Sequence, residues 1–311
     1  MRDFLPDDIL DHILAFLVVK NLYVVATTAH SFHETVCHRA KVIDSGSSNE
    51  NVVTDARLSF LVRKFPAAST LRIPRAEGLT IHAIAEALHK LPNLSSLSLY
   101  DVCWRSMRSS SPVLASATVN DGSNLHERSV RFIDSADCPF PRRNSLRKLC
   151  VRGTIFLGSN ELKGLLASPE LRDVELSGLR HLDDDNFRDL METKSRLNAF
   201  SIERLVFSNC TGLQKVDLIA PGAREVELQY CVNLRELKQA LPRLVTLNLD
   251  FCTKILDETI EAIVANCPDL ISLAVKGCSG LQKTNIVSSS LRRLDMRCVE
   301  LLGDFLHLNL F

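Results

Sequence analysis

Four cysteines recur at regular intervals, at positions 210, 231, 252 and 278 of the 311-residue chain. Thiols serve as zinc ligands and as nucleophiles, but zinc sites bring ligands together through pairs only two to four residues apart. Intervals of 21, 21 and 26 residues supply no such pair. We therefore interpret these cysteines as small, buried, apolar residues that share one column of the fold, and we expect no metal there.

A second group with ligand chemistry comprises His30, His33, Cys37 and His38. On a helix these positions fall near one face, where they have the types and spacing of metal ligands. Ordinary helix surface and core is the favoured interpretation, because no second cluster supports metal chemistry. The chain also lacks a phosphate-binding loop, a HExxH pair and a GxSxG motif. We therefore predict no catalytic residue, no metal and no cofactor, and a protein that is not an enzyme.

The cysteines end a repeated phrase, L-x-x-L-x-L-x-x-C, whose residues we number as positions 1 to 9. Clear copies begin at positions 202, 223, 244 and 270, and weaker copies begin at 94, 146, 171 and 291, with a degenerate copy at 68. A proline stands two residues before position 1 in six copies, where it ends the preceding segment and favours an extended entry into a strand. These prolines are Pro66, Pro92, Pro169, Pro221, Pro242 and Pro268.

Helical spacing accompanies the phrase in several copies. Asp257 is predicted to cap a helix whose buried face carries Ile260, Ile263, Val264 and Cys267. Similar patterns are found in two other copies, on Phe187, Leu190 and Met191, and on Ile84, Leu88 and Leu91. Phrase and period resemble the cysteine-containing leucine-rich repeat over residues 66–302. The resemblance implies an α/β fold: a right-handed solenoid with a curved parallel sheet on its concave side and helices or irregular segments on its convex side.

Residues 3–40 do not follow the repeat, and apolar residues recur there at helical spacing. The phrase Leu5-Pro6-Asp7-Asp8-Ile9-Leu10-x-x-Ile13-Leu14-x-Phe16-Leu17, followed by Leu22 and Phe32, resembles the F-box, a short three-helix domain. In that family the apolar positions dock on the Skp-type adaptor of Skp–cullin–F-box ubiquitin ligases. The resemblance implies an adaptor-binding face formed by Leu5, Pro6, Ile9, Ile13, Leu14, Leu17 and Leu22, with Phe32 anchoring the third helix.

The predicted organisation is an F-box-like helical domain over residues 1–44, a linker with a connecting helix over 45–65, and the solenoid over 66–311. Segment 105–143 interrupts the period and is either an insertion or a degenerate repeat. The apolar segment 301–311 is predicted to close the last repeat.

Composition limits the partners. Lysine plus arginine and aspartate plus glutamate both number 37, so the net charge is zero and a nucleic-acid or membrane-surface binder is not expected. No apolar stretch approaches the roughly 18 residues of a membrane span, and the N-terminus does not resemble a signal peptide. Cytoplasm or nucleus, with mostly free thiols, is the expectation for the ten cysteines.

Two functions fit the sequence. By resemblance, the chain is a substrate-recognition subunit whose F-box binds the adaptor, and through it cullin and the ring subunit, while the repeats hold an unknown target protein. The alternative is an adaptor-independent scaffold or regulator in which the N-terminal helices only cap the solenoid. A pull-down with the adaptor separates the two.

Residues between the strand leucines are predicted to face the concave space and contact the target. We expect Tyr230 and Phe251 to be exposed anchors, an acidic middle that includes Asp173 and Glu225, and a basic end that includes Arg292 and Arg293. The candidate target-binding residues are Tyr100, Arg152, Glu175, Glu227, Tyr230, Asp250, Phe251, Lys276 and Arg297.

Overall fold

The computed structural model describes residues 39–45, 53–74, 76–100, 102–104, 145–153, 159–198, 201–299 and 307–310. The predicted adaptor-binding residues, the His/Cys group at 30–38 and the segment 105–143 lie outside the described residues. No helix in the described ranges is long and apolar enough to cross a membrane.

One parallel sheet runs through the described residues and contains ten strands. Neighbouring strands pair in register, so the apolar residue at position 4 of one repeat lies beside the residue at position 4 of the next. Val226, for example, lies beside Leu247. In sheet order the strands are β1 (Val42–Asp44), β2 (Thr70–Ile73), β4 (Ser96–Tyr100), β6 (Lys148–Arg152), β7 (Asp173–Ser177), β8 (Arg204–Val206), β10 (Glu225–Glu227), β12 (Thr246–Asn248), β13 (Ser272–Ala274) and β15 (Arg293–Asp295).

The sheet begins earlier in the chain than the repeat pattern does. Strand β1 pairs with β2 through Val42 and Thr70, although residues 42–44 carry no complete copy of the phrase. Only Ile43 of this strand is buried, so a single apolar contact marks it in the sequence. The strands from β2 onward follow the predicted order and confirm a parallel, solenoid-like array of repeats.

The chain returns from each strand by a helix or by a second short strand. The described helices are α1 (Asp55–Lys64), α2 (Ile81–Lys90), α3 (Ser159–Leu166), α4 (Asp184–Asn198) and α5 (Asp257–Asn266). The returning strands form three parallel pairs: β3 (Ala76–Leu79) with β5 (Val102–Trp104), β9 (Lys215–Ile219) with β11 (Glu236–Ala240), and β14 (Asn285–Ser288) with β16 (His307–Leu310). The core lies between these returns and the sheet, because a repeat buries its apolar side only against its neighbours.

The predicted apolar positions form this core. Leucines of positions 1, 4 and 6 are buried in repeat after repeat, as are Ile260, Ile263 and Val264 on the inner face of α5. The same is true of Phe187, Leu190 and Met191 in α4.

The role predicted for Asp257 was wrong in one respect. Leu256 occupies the N-cap of α5 and makes no side-chain capping bond, while Asp257 is the first residue of the helix. Its carboxylate instead accepts hydrogen bonds from the backbone N–H groups of Gln282 and Lys283 in the following repeat. Asp184 in α4 does the same for Gln214 and Lys215, and Asp55 in α1 does so for Thr80. These aspartates therefore fasten one repeat to the next.

The cysteine column is buried as predicted. The thiol of Cys231 donates to the carbonyl of Phe207 at 3.0 Å, and that of Cys252 donates to the carbonyl of Leu228 at 3.1 Å. Both acceptors are the position 6 residue of the preceding repeat, and Cys210 and Cys278 repeat the arrangement. A cysteine at position 9 thus fills a small apolar site and adds one weak hydrogen bond between repeats.

Candidate functional site

The sheet face, by which we mean the side chains at positions 3, 5, 7 and 8 of the repeats, carries the predicted target-binding residues. Tyr100 and Arg152 end strands β4 and β6, Glu175 lies in β7, and Glu227 ends β10. Asp250, Lys276 and Arg297 share position 7, and Tyr230 and Phe251 share position 8. The structure divides them into two groups with different surroundings.

The first group is a polar network that extends from Tyr100 to Glu227. The guanidinium of Arg152 pairs with Glu175 and lies 5.4 Å from the centre of the Tyr100 ring. Ser177 donates a hydrogen bond to the same carboxylate. Burial raises the pKa of Glu175, but the hydrogen bond and the charge of Arg152 outweigh this effect, so the pKa lies below its usual value. Glu175 is only 7% exposed, which makes it an internally satisfied charge.

Arg204 forms the other half of the polar network. Its guanidinium lies 3.2 Å from Asp173, 3.3 Å from Glu225 and 2.6 Å from Glu227. Lys148 also pairs with Asp173, at 2.6 Å. The expected acidic patch took account of the carboxylates alone, but Lys148 and Arg204 at position 3 pair with them. The middle of the sheet face is therefore nearly neutral, and the expectation of an acidic patch was wrong.

The second group is an aromatic stack formed by Tyr230 and Phe251 with Lys276 and Gly277. The two rings lie 4.8 Å apart between centres, with 9° between their planes. The Lys276 ammonium lies 5.4 Å from the centre of the Phe251 ring. A Cβ on Gly277 would stand 2.6 Å from Cδ1 of Phe251, so only glycine leaves room for this ring. Tyr230 remains 47% exposed, as predicted for an interface anchor, whereas Phe251, predicted to be exposed as well, is half-buried.

Position 8 has a backbone conformation that disfavours such residues. The carbonyl of position 6 accepts a hydrogen bond from the N–H of position 9, as Leu228 does from Cys231, which closes a turn. The third residue of this turn has a positive φ, as in a type II turn, where glycine or asparagine is strongly preferred. Gly153, Gly178, Gly277 and Asn209 meet the preference in four repeats.

Tyr230 and Phe251 violate that preference, with φ of 62° and 60°. For an L residue this conformation costs about 1–2 kcal/mol. Their place in the repeat predicted exposure for both residues, but the turn was not predicted. The glycines and the asparagine in the same column were the available signal.

The far end of the sheet face is less basic than predicted. Arg297 pairs with Asp295 at 2.7 Å, and this hydrogen-bonded pairing lowers the pKa of Asp295 to about 2. Arg292 lies at the other end of the strands, where it lines an open groove of about 770 Å³ together with Arg224 and Arg243. Within the described residues, the ammonium of Lys276 forms no ion pair.

The described residues contain no group of three or more histidine, cysteine, aspartate or glutamate side chains placed to hold a metal. Burial raises the pKa of Cys210 to about 11 and those of Cys231 and Cys278 to about 12. Because a thiol attacks as its thiolate, these cysteines are unreactive near neutral pH.

No protein-family model matches this chain, and no curated protein matches it. Among solved structures, the chain is similar to one described as the complex of Rad7 and Elc1 in yeast. The identity is 13% and the TM-score 0.34, with 94% of this chain and 90% of that chain covered. At this TM-score the likeness carries no argument about function.

Proposed function

We propose that the chain is the substrate-recognition subunit of a Skp–cullin–F-box type ubiquitin ligase. The observation that carries the proposal is the order of two patterns: the F-box-like phrase Leu5–Leu17 stands directly ahead of cysteine-type leucine-rich repeats. The parallel array of ten strands supports the second pattern, and an array of this kind presents a long continuous face to a protein partner.

The proposed mechanism needs no catalytic residue in this chain. The N-terminal helices bind the Skp-type adaptor, which connects to cullin and the ring subunit, while the sheet face holds a target protein. Ubiquitin transfer to a target lysine is then accelerated because the lysine is held at high effective concentration near the charged conjugating enzyme.

Co-expression with a Skp-type adaptor followed by size-exclusion chromatography tests the proposal. We expect the wild-type chain to co-elute with the adaptor, and deletion of residues 5–17 to abolish co-elution. Ile13→Glu is the milder variant, because it places one charge on the proposed docking face without removing chain. Tyr230→Gly is the matched control, since it changes the sheet face alone and should leave co-elution intact.

Two results would count against the receptor role. Adaptor binding that survives both N-terminal changes would show that the F-box-like phrase is not the docking element. A wild-type chain that fails to bind the adaptor at micromolar concentration would favour the adaptor-independent scaffold.

A further inference from the structure

Both rings of the aromatic stack belong to residues in turns whose backbone geometry favours glycine. Of the seven described repeats with a positive φ at position 8, three have glycine, one has asparagine and one has Cys298, while Tyr230 and Phe251 stand in neighbouring repeats. Bulky residues held in such conformations concentrate at sites where the strain serves binding or catalysis. The folding core gives little reason for Tyr230, because nearly half of its surface is exposed.

Phe251 stacks on only one face of the Tyr230 ring, and 47% of Tyr230 is exposed, so the other face is available to a ligand. The two ring centres lie 4.8 Å apart, and beyond Phe251 lie Gly277 and the Lys276 ammonium. Asn209 holds position 8 in the preceding repeat, so no ring of a described residue continues the stack on that side. A planar side chain placed over Asn209 would extend the stack at the spacing of adjacent strands.

The charges around the aromatic stack indicate which planar side chain would bind to Tyr230. Near the open face, Glu227 is already paired with Arg204, and Gln229 beside it is uncharged. Among these described neighbours a guanidinium would therefore find no unpaired carboxylate, which favours an aromatic ring. At the other end of the stack, the Lys276 ammonium forms no ion pair with a described carboxylate, which favours an anion there.

We propose that the aromatic stack binds an extended segment of a partner protein that carries an aromatic side chain and, about four residues away, a carboxylate. The aromatic ring stacks on the open face of Tyr230, and the carboxylate meets Lys276. Three strand spacings, about 14 Å, separate the two contacts, and an extended chain spans that distance in about four residues. The net charge of zero favours a peptide over a nucleic acid, whose phosphates require several cations.

A random twelve-residue peptide library displayed on phage and selected on the full chain tests the inference. We expect the enriched peptides to share an aromatic residue with an aspartate or glutamate three to five positions away. A fluorescein-labelled consensus peptide then serves as the probe in anisotropy titrations. Tyr230→Gly should weaken its binding at least tenfold, because glycine suits the turn and removes only the ring.

Lys276→Met should weaken binding about fivefold, in line with the modest strength of an exposed ion pair. Arg224→Met, at the opposite end of the strands, is the matched control and should change nothing. Enriched peptides without an aromatic residue, or equal binding by Tyr230→Gly, would overturn the inference. So would a labelled twelve-nucleotide oligothymidine that binds the wild-type chain and displaces the peptide, since that result assigns the stack to nucleic acid.

The inference rests on the target-holding role proposed above, but its test needs no adaptor. Failure of adaptor binding therefore leaves the peptide result untouched, and a failed selection leaves the adaptor proposal standing.

Discussion

The polar network and the aromatic stack lie on one sheet face but are built in opposite ways. In the polar network, Arg152 and Arg204 each find carboxylates, so the charges are satisfied within the chain. In the aromatic stack, Tyr230 and Phe251 occupy strained turns. Tyr230 is exposed and Phe251 is half-buried, and Lys276 forms no ion pair with a described residue. The charges of the polar network therefore stabilise the fold, whereas the strain in the aromatic stack does not, which is why we assign the stack to a partner.

The two regions also differ beneath the face. After β7, the strand that carries Asp173 and Glu175 of the polar network, position 9 is Leu179. After β8, β10, β12 and β13 it is a cysteine. Because burial raises the pKa values of these thiols, the folded state keeps them protonated at a pH where an unfolded chain releases the protons. Their contribution to stability is complete below the unfolded pKa and is lost as the pH rises through the folded pKa.

The largest expected effect follows from this titration. Above about pH 8.5, the ordinary thiol pKa, each buried thiol should lower the free energy of unfolding by about 1.4 kcal/mol per pH unit. Urea unfolding at pH 8, 9 and 10 measures the slope. Cys231→Ala is the control. It removes one buried thiol, so its free energy of unfolding should fall less steeply with pH by about 1.4 kcal/mol per pH unit. A free energy of unfolding that stays flat to pH 10 would contradict the protonated column.

Removing the central cation tests the polar network. Arg204→Met leaves Asp173, Glu225 and Glu227 without their shared partner, so we expect a loss of about 2 kcal/mol, between values for exposed and for buried pairs. Arg297→Met breaks an exposed pair with Asp295, so we expect a clearly smaller loss than for Arg204→Met. Urea denaturation compares the two variants, and equal losses would show that the network contributes no more than a surface pair.

Glycine substitutions in equivalent turns give a smaller difference. Gly178→Ala introduces strain at φ 71°, where an added Cβ would still fit in ordinary contact with Gly153. Gly277→Ala introduces the same strain and also drives a Cβ into the Phe251 ring. We expect Gly277→Ala to be the more destabilising by about 1 kcal/mol, because the ring must leave the stack. Thermal unfolding of both variants checks this, and equal values would mean that the ring moves freely.

The repeats could be predicted from the sequence because equivalent positions in successive copies have the same surroundings. Leu228, Leu249 and Cys252 are buried because each copy repeats the same contacts, and the phrase specifies those contacts directly. Strand β1 was not predicted, because a strand of three residues with one buried side chain shows no recognisable alternation of apolar and polar residues. The choice between helix and second strand on the return side was equally unpredictable, since it depends on packing against the neighbouring repeat.

The candidate site was predicted in its residues but not in its electrostatics. Tyr230 and Phe251 were placed on the sheet face from position alone, and the structure puts them there. The pairing of Arg204 with three carboxylates depends on distances across neighbouring strands, which the sequence does not contain. The turn strain was readable in principle, because Gly178 and Gly277 share the column with both aromatic residues.

The free energy of unfolding of the Tyr230→Gly/Phe251→Gly double variant tests the central contrast most directly. Glycine relieves about 1–2 kcal/mol of strain at each turn, which offsets much of the lost ring contact, worth about 0.5–1.5 kcal/mol beyond area burial. We expect the double variant to have a stability within about 1 kcal/mol of the wild-type chain by urea denaturation. A loss of more than about 3 kcal/mol, the size of a large core truncation, would contradict it, because the two rings would then belong to the folding core.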